Sequence, residues 1–241
     1  MKVLIIGDSH TAALEKGKKL LAEKSKLPDG IKLDIRCLGN HRIMRTPFFI
    51  DRGDYAEICN DEYRKQYNFF PPLSLKHDME NVVYGLSGLL FPGSVISWLS
   101  KFAAPSQLVL NEIPVSNALL TQLVLDDCQY LLKFIDIILR TKQKLFVIEG
   151  PQFFRDAHIS KNCRHQLIKY FNDYYRVIIK KELENRNIPV IALNPECYDE
   201  HGFMLEKYRH ENINDKLHGN ALFGELMLKK AIDFLLSEKY C

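Results

Sequence analysis

The chain has 241 residues, of which 46% are hydrophobic and 26% charged, and a formal net charge of +3. That length can bury a large core without a disulfide or metal staple, and the composition is ordinary for a globular protein. The charge is too mild and too scattered for a nucleic-acid partner, and no run approaches the roughly 20 apolar residues of a membrane span. The six cysteines (Cys37, Cys59, Cys128, Cys163, Cys197 and Cys241) form no C-x-x-C pair, which suits a reduced protein rather than a disulfide framework. Val3 to Ile6 is too short for the apolar region of a signal peptide. A cytoplasmic protein is therefore expected, with no membrane and no nucleic-acid partner.

The elements alternate along the chain. Lys2 to Ile6 is a short β-branched run ending at Gly7, a buried strand. Thr11 to Lys24 is a helix with Ala13, Leu14, Leu20 and Leu21 inward. Lys32 to Leu38 alternates Leu33, Ile35 and Cys37 on one face and stops at Gly39, a second strand. Residues 40–80 are charged and aromatic without sustained periodicity. They are expected to be an irregular insertion with one short helix, either a substrate-binding loop or plain decoration. Asn81 to Leu86 is a third strand, and Gln107 to Leu110 a short one. Asn117 to Arg140 is a long amphipathic helix, Lys144 to Glu149 a strand, Cys163 to Arg186 a helix, Ile188 to Leu193 the last strand and Ala221 to Leu236 the last helix. Strand and helix in alternation predict one α/β domain over 1–241, a three-layer α/β/α sandwich around a mostly parallel sheet in the flavodoxin-like manner. In such sheets the site lies at the carboxyl ends of the strands.

Two places at those ends carry reactive residues. Gly7-Asp8-Ser9-His10 follows the first strand, so Ser9 sits at a turn into a helix, where backbone N–H groups can face an anion. The plain alternative is that Ser9 or Thr11 caps the helix. Asp215-Lys216-Leu217-His218 precedes the last helix. Over that spacing a carboxylate can reach an imidazole, fix its tautomer and stabilise its charged form. Its plain alternative is an exposed polar turn. A serine hydroxyl needs such a base to become a nucleophile.

Together these blocks resemble a known family. The opening IIGDSHTAAL, Gly39 after the second strand, and the closing NDKLHGNALFGELML look like blocks of the SGNH (GDSL-type) hydrolases. The segment Pro195 to Asn220, with Gly202-Phe203 running to Tyr208, resembles members of that family that act on bacterial saccharides. The resemblance implies a serine esterase with Ser9 as nucleophile, His218 as general base and Asp215 as its orienting partner. It implies an oxyanion hole from the N–H groups of Ser9 and Gly39 plus an Asn after the third strand. There the chain reads Gly85-Leu86-Ser87-Gly88-Leu89 instead, so the third donor is the Gly88 N–H, Asn40, or absent. The implied substrate is a small acyl ester, such as an O-acetyl group on a carbohydrate. His210, close to the triad loop, is a candidate for substrate contact. No cofactor and no metal are expected.

Other readings start from the same residues. A catalytically impaired protein of this fold could bind a saccharide or a partner protein, and an intact triad could pass its acyl group to a sugar instead of water. Asp8-Ser9-His10 and Gly39-Asn40-His41 are also pieces of a metal-dependent phosphoesterase pattern. The G-D-x-x-D and G-H-x-H blocks of that pattern are missing, and Gly53-Asp54 comes after the G-N-H.

Overall fold

A computed structural model of the chain describes residues 1–59, 61, 82–92, 95, 102–103, 113–157 and 164–237. In chain order the elements are β1 (Lys2–Gly7), α1 (Thr11–Glu23), β2 (Lys32–Cys37), the single turn α2 (His41–Met44), β3 (Phe49–Asp51), β4 (Ala56–Ile58) and β5 (Val82–Ser87). They continue with β6 (Phe102–Ala103), β7 (Ile113–Pro114), α3 (Asn117–Arg140), β8 (Leu145–Ile148), α4 (His165–Glu184), β9 (Val190–Ile191) and α5 (Ala221–Leu236).

Five strands form one sheet in the order β2-β1-β5-β8-β9, and every pairing is parallel. Because side chains alternate across a strand, β1, β5, β8 and β9 each feed two cores. Leu4, Ile6, Val82, Tyr84, Leu86, Leu145 and Val147 pack with α3 and α4. Val3, Ile5, Val83, Phe146, Ile148 and Ile191 pack with α1 and α5. The result is a three-layer α/β/α sandwich around a parallel sheet, as the alternation of elements predicts. Sheet order steps outward from β1 to β2 on one side and to β5 on the other. The crevice above the carboxyl ends of β1 and β5 is the topological switch point, where such sheets receive ligands.

The two long helices whose bounds agree with the sequence reading are both capped. Ser116 accepts from the Leu119 N–H at 3.2 Å ahead of α3, and Asn220 from the Phe223 N–H at 3.1 Å ahead of α5. The last strand is shorter than its apolar run predicts. Pro189 has no N–H to give, and the Leu193 N–H turns away from the ladder to the Glu149 carboxylate at 2.6 Å. The front of the insertion differs from the irregular segment expected. It carries α2 and an antiparallel hairpin, β3 with β4, whose Phe48, Ala56 and Ile58 are buried in the α3/α4 core. Residues 60 and 62–80 of that insertion and the strand read at 107–110 lie outside the described residues. Among the described residues, Cys37, Cys59, Cys128 and Cys197 form no disulfide. Among the described residues no helix is long and apolar enough to cross a membrane.

Candidate active site

The end of β1 runs straight into α1. The carbonyls of Asp8, Ser9 and His10 accept from the N–H groups of Thr11, Ala12 and Ala13 at 3.0, 3.2 and 3.2 Å. Helical turns thus begin at the serine itself and leave its side chain at the rim of the sheet. Gly7 is required just before, since a Cβ there would lie 2.3 Å from the Ser87 carbonyl oxygen of β5.

The second half of the site comes from the other end of the chain. The backbone pairs Arg209 with Gly219, and the His210 N–H reaches the His218 carbonyl at 3.0 Å, so the loop before α5 is a held ribbon. Within it Asp215 closes a tight turn. Its Oδ1 accepts from the N–H groups of Leu217 and His218 at 3.1 and 3.0 Å, and both its oxygens lie at 2.9 and 2.8 Å from His218 Nδ1. The His218 Nε2 atom is 2.7 Å from Ser9 Oγ. A carboxylate only accepts, so the Asp215 contact puts the proton on Nδ1 and leaves Nε2 bare to receive the serine hydroxyl. Partial burial pushes the Asp215 carboxyl up. The two N–H groups and the His218 ring outweigh this and hold it below the ordinary carboxylate range.

Around this chain of three, the ribbon is pinned from outside. Asp156, in the segment after β8, binds Lys216 at 2.8 Å and Arg209 at 2.6 Å, and the Arg209 guanidinium lies over the Phe154 ring. The buried His10 ring lies between Phe91, with centroids 4.4 Å apart, and His218, 4.8 Å apart, tilted by 48° and 44° to them, and so packs against the His218 ring.

Gly39 and Gly88 follow β2 and β5, the two neighbours of β1, and so flank Ser9 on either side. Both adopt positive φ, +148° and +100°, where glycine is favoured. At Gly88 there is also no room for a side chain. A Cβ would come within 2.4 Å of the Asp8 carboxyl. Any hydrogen bond that position gives to an oxyanion therefore comes from the backbone. Asn40 opens α2, its carbonyl accepting from the Met44 N–H at 3.3 Å.

His210 lies behind Asp215, with its Nδ1 3.9 Å from Asp215 Oδ2. Its Nδ1 accepts from the Asn212 N–H at 3.1 Å, and its Nε2 meets Lys16 Nζ at 2.9 Å. Asp8 is buried, and its Oδ1 takes the His10 N–H at 2.9 Å. Burial pushes that carboxyl up to about 6, against the pull of the His10 N–H and of the charges on Arg45 and His218. Among the described residues no three His, Cys, Asp or Glu side chains group as metal ligands.

Sequence reasoning did not single out Arg45, Asp127 and Asp156. The partners of Arg45 are 46 and 82 residues away in the chain, at Phe91 and Asp127, so no local pattern marks it.

No family model and no curated protein matches the chain. In fold it is similar to the crystal structure of an acetyl xylan esterase, at 14% identity over 98% of this chain and 100% of that one, with a TM-score of 0.48. It is similar also to a proposed acylhydrolase of Bacteroides fragilis NCTC 9343, at 11% identity over 98% of this chain and 88% of that one, with a TM-score of 0.48.

Proposed function

We propose that this chain is a serine esterase of the SGNH/GDSL type that removes a small acyl group, an O-acetyl on a carbohydrate, with Ser9, His218 and Asp215 as its triad. The observation that carries the reading is the continuous line Ser9 Oγ, His218 Nε2, His218 Nδ1, Asp215, with contacts of 2.7 and 2.8 Å. A capping serine or a polar turn would need no such line between residues 209 apart.

In this reading His218 takes the Ser9 proton as Oγ attacks the ester carbonyl. Asp215 holds the imidazole in the tautomer that can accept it and stabilises the imidazolium that forms. The buried Asp8 carboxyl also interacts electrostatically with that imidazolium. The oxyanion is met by the N–H groups of Ser9 and Gly39, with Gly88 supplying the third from its backbone in place of an asparagine side chain. His218 then returns the proton to the departing alcohol, and water repeats the sequence on the acyl-enzyme. The choice of a sugar acetate follows the sequence resemblance in the Pro195 to Asn220 segment.

The test is hydrolysis of p-nitrophenyl acetate and of an acetylated xylose by wild type and Ser9→Ala, each with and without a chelator. Release of acetate that survives chelation and disappears in Ser9→Ala supports the esterase. Equal rates in both proteins would sink it, and loss on chelation would favour metal-dependent chemistry.

A further inference from the structure

We propose that Arg45 is a positioning residue for the ester chemistry: its guanidinium fixes the segment after β2, which carries Gly39, against the segment after β5, which carries Gly88. The inference rests on the esterase reading above.

Each of these segments needs an outside hold. Gly39 leads into α2, a helix of one turn whose bonds, Met44 N–H to Asn40 and Arg45 N–H to Arg42, are both 3.3 Å. A single turn does not sustain itself in water. The segment after β5 bends at Gly88 with φ +100° and leaves the sheet.

Arg45, the residue next to α2, reaches across to that second segment. Its side chain is 7% exposed. Nη2 donates to the Phe91 carbonyl at 2.7 Å and contacts Tyr175 Oη at 3.2 Å, while Nε donates to Asp127 Oδ2 at 2.6 Å. Tyr175 donates in turn to Asp127 at 2.9 Å, and the Cys128 thiol lies 2.6 Å from the Tyr175 hydroxyl and 3.8 Å from the Leu89 carbonyl. The segment that begins at Gly88 is thus held at the Phe91 carbonyl by Arg45, whose guanidinium is itself anchored to Asp127 of α3 and Tyr175 of α4, with the Cys128 thiol beside the Leu89 carbonyl. Its opposite side is closed by Asp8, whose carboxyl fills the space where a Gly88 side chain would stand.

The same guanidinium therefore sets the distance between the two glycine-bearing walls that flank Ser9. A planar fork with several fixed donors can do this; a lysine, a single mobile point charge, cannot bond Phe91 and Asp127 in one geometry. Oxyanion donors are effective only when held in place before the charge develops, so loosening the walls acts on turnover rather than on substrate capture.

Arg45→Lys and Arg45→Gln are compared with Tyr175→Phe, which removes a hydroxyl from the same buried cluster and leaves both Arg45 contacts to Phe91 and Asp127. The readouts are kcat and KM for Ser9-dependent acetate release, the melting temperature, and amide exchange of residues 38–45 and 86–92. The expected result for the Arg45 variants is a fall in kcat of about 10²-fold with little change in KM, and faster exchange in both segments together. Tyr175→Phe is expected to lose stability while keeping kcat and the exchange pattern. Arg45 variants that fold and turn over like wild type overturn the proposal. So does a Tyr175→Phe protein that loses kcat equally, since Arg45 would then act only through general stability. Failure of both Arg45 variants to fold makes the residue structural and also overturns it. Absence of Ser9-dependent hydrolysis in wild type is a separate failure, seen before any Arg45 variant is made, and removes the esterase reading together with this one.

Discussion

Helix α1 starts two residues after Ser9 and α5 three residues after His218, and the two helices pack directly on each other. Their crossing is made by glycine. A Cβ on Gly224 would stand 1.7 Å from the Ala13 carbonyl oxygen, and one on Gly17 would stand 2.2 Å from the Gly224 carbonyl carbon and the Glu225 nitrogen. Both obstacles are backbone, so no side-chain rotation relieves them. Gly224→Ala must push the helices apart by about 1.3 Å to reach the shortest contact real side chains show. Alanine gains about 1 kcal/mol of helix propensity, and forced overpacking costs about 1–3 kcal/mol or more. A net loss of about 2 kcal/mol lowers the melting temperature of a protein this size by about 4–8 °C. The same opening lengthens the 2.7 Å contact between Ser9 and His218 beyond hydrogen-bonding distance. A displacement of about 1 Å costs on the order of 10² in rate. The assay is thermal unfolding together with kcat for p-nitrophenyl acetate. A Gly224→Ala protein with the melting temperature and kcat of wild type would refute the claim that this crossing sets the triad distance.

Asp215→Asn keeps an acceptor for the Leu217 and His218 N–H groups but presents an amide to the His218 ring, favouring the wrong tautomer. It is expected to lower kcat by about 10⁴ with little change in melting temperature; an effect on KM alone would contradict the role given to Asp215. For Asp8 the sign is set by burial, which lifts the folded carboxyl to about 6 from the ordinary 3.8. The folded state then holds the proton more tightly than the unfolded chain, so its contribution is full below about pH 4 and is lost as pH rises through 6, a difference of about 3 kcal/mol. Asp8→Asn does not titrate. Its stability relative to wild type should therefore climb between pH 4 and pH 7 in denaturant titrations; a difference that is flat over that window removes the assignment.

The outer parts of the site were readable in the sequence because each is a local event. Gly7-Asp8-Ser9 ends a short apolar strand, and Asp215 to His218 spans one turn, so a strand end and a carboxylate able to reach an imidazole follow from spacing, while the joining of the two came from the family resemblance. Helices α3 and α5 were legible through their apolar patterns, while the Ser116 and Asn220 caps emerged from the structure. The hairpin β3–β4 was not, because strands of three residues are too short for a period of two to show. The Arg45 cluster draws on four segments, so its members look like ordinary residues of α3, α4 and a charged insertion until folding assembles them. The glycines at the α1–α5 crossing did leave a trace. Gly17 and Gly224 fall within helical patterns, where glycine costs about 1 kcal/mol unless close packing requires it.

The sequence separation of 209 from Ser9 to His218 has a meaning during synthesis. At about 5–20 residues per second, a ribosome that has made the serine needs about 10–40 s more to make the histidine that contacts it. Through that interval the nascent chain carries a hydroxyl with nothing to deprotonate it, and α1 shows its glycine face without the helix that covers it. A chain stalled between β9 and the loop that carries Asp215 and His218 holds all five strands of the main sheet, yet lacks the histidine that contacts Ser9. The contact between Ser9 and His218 therefore joins one of the first residues made to one of the last.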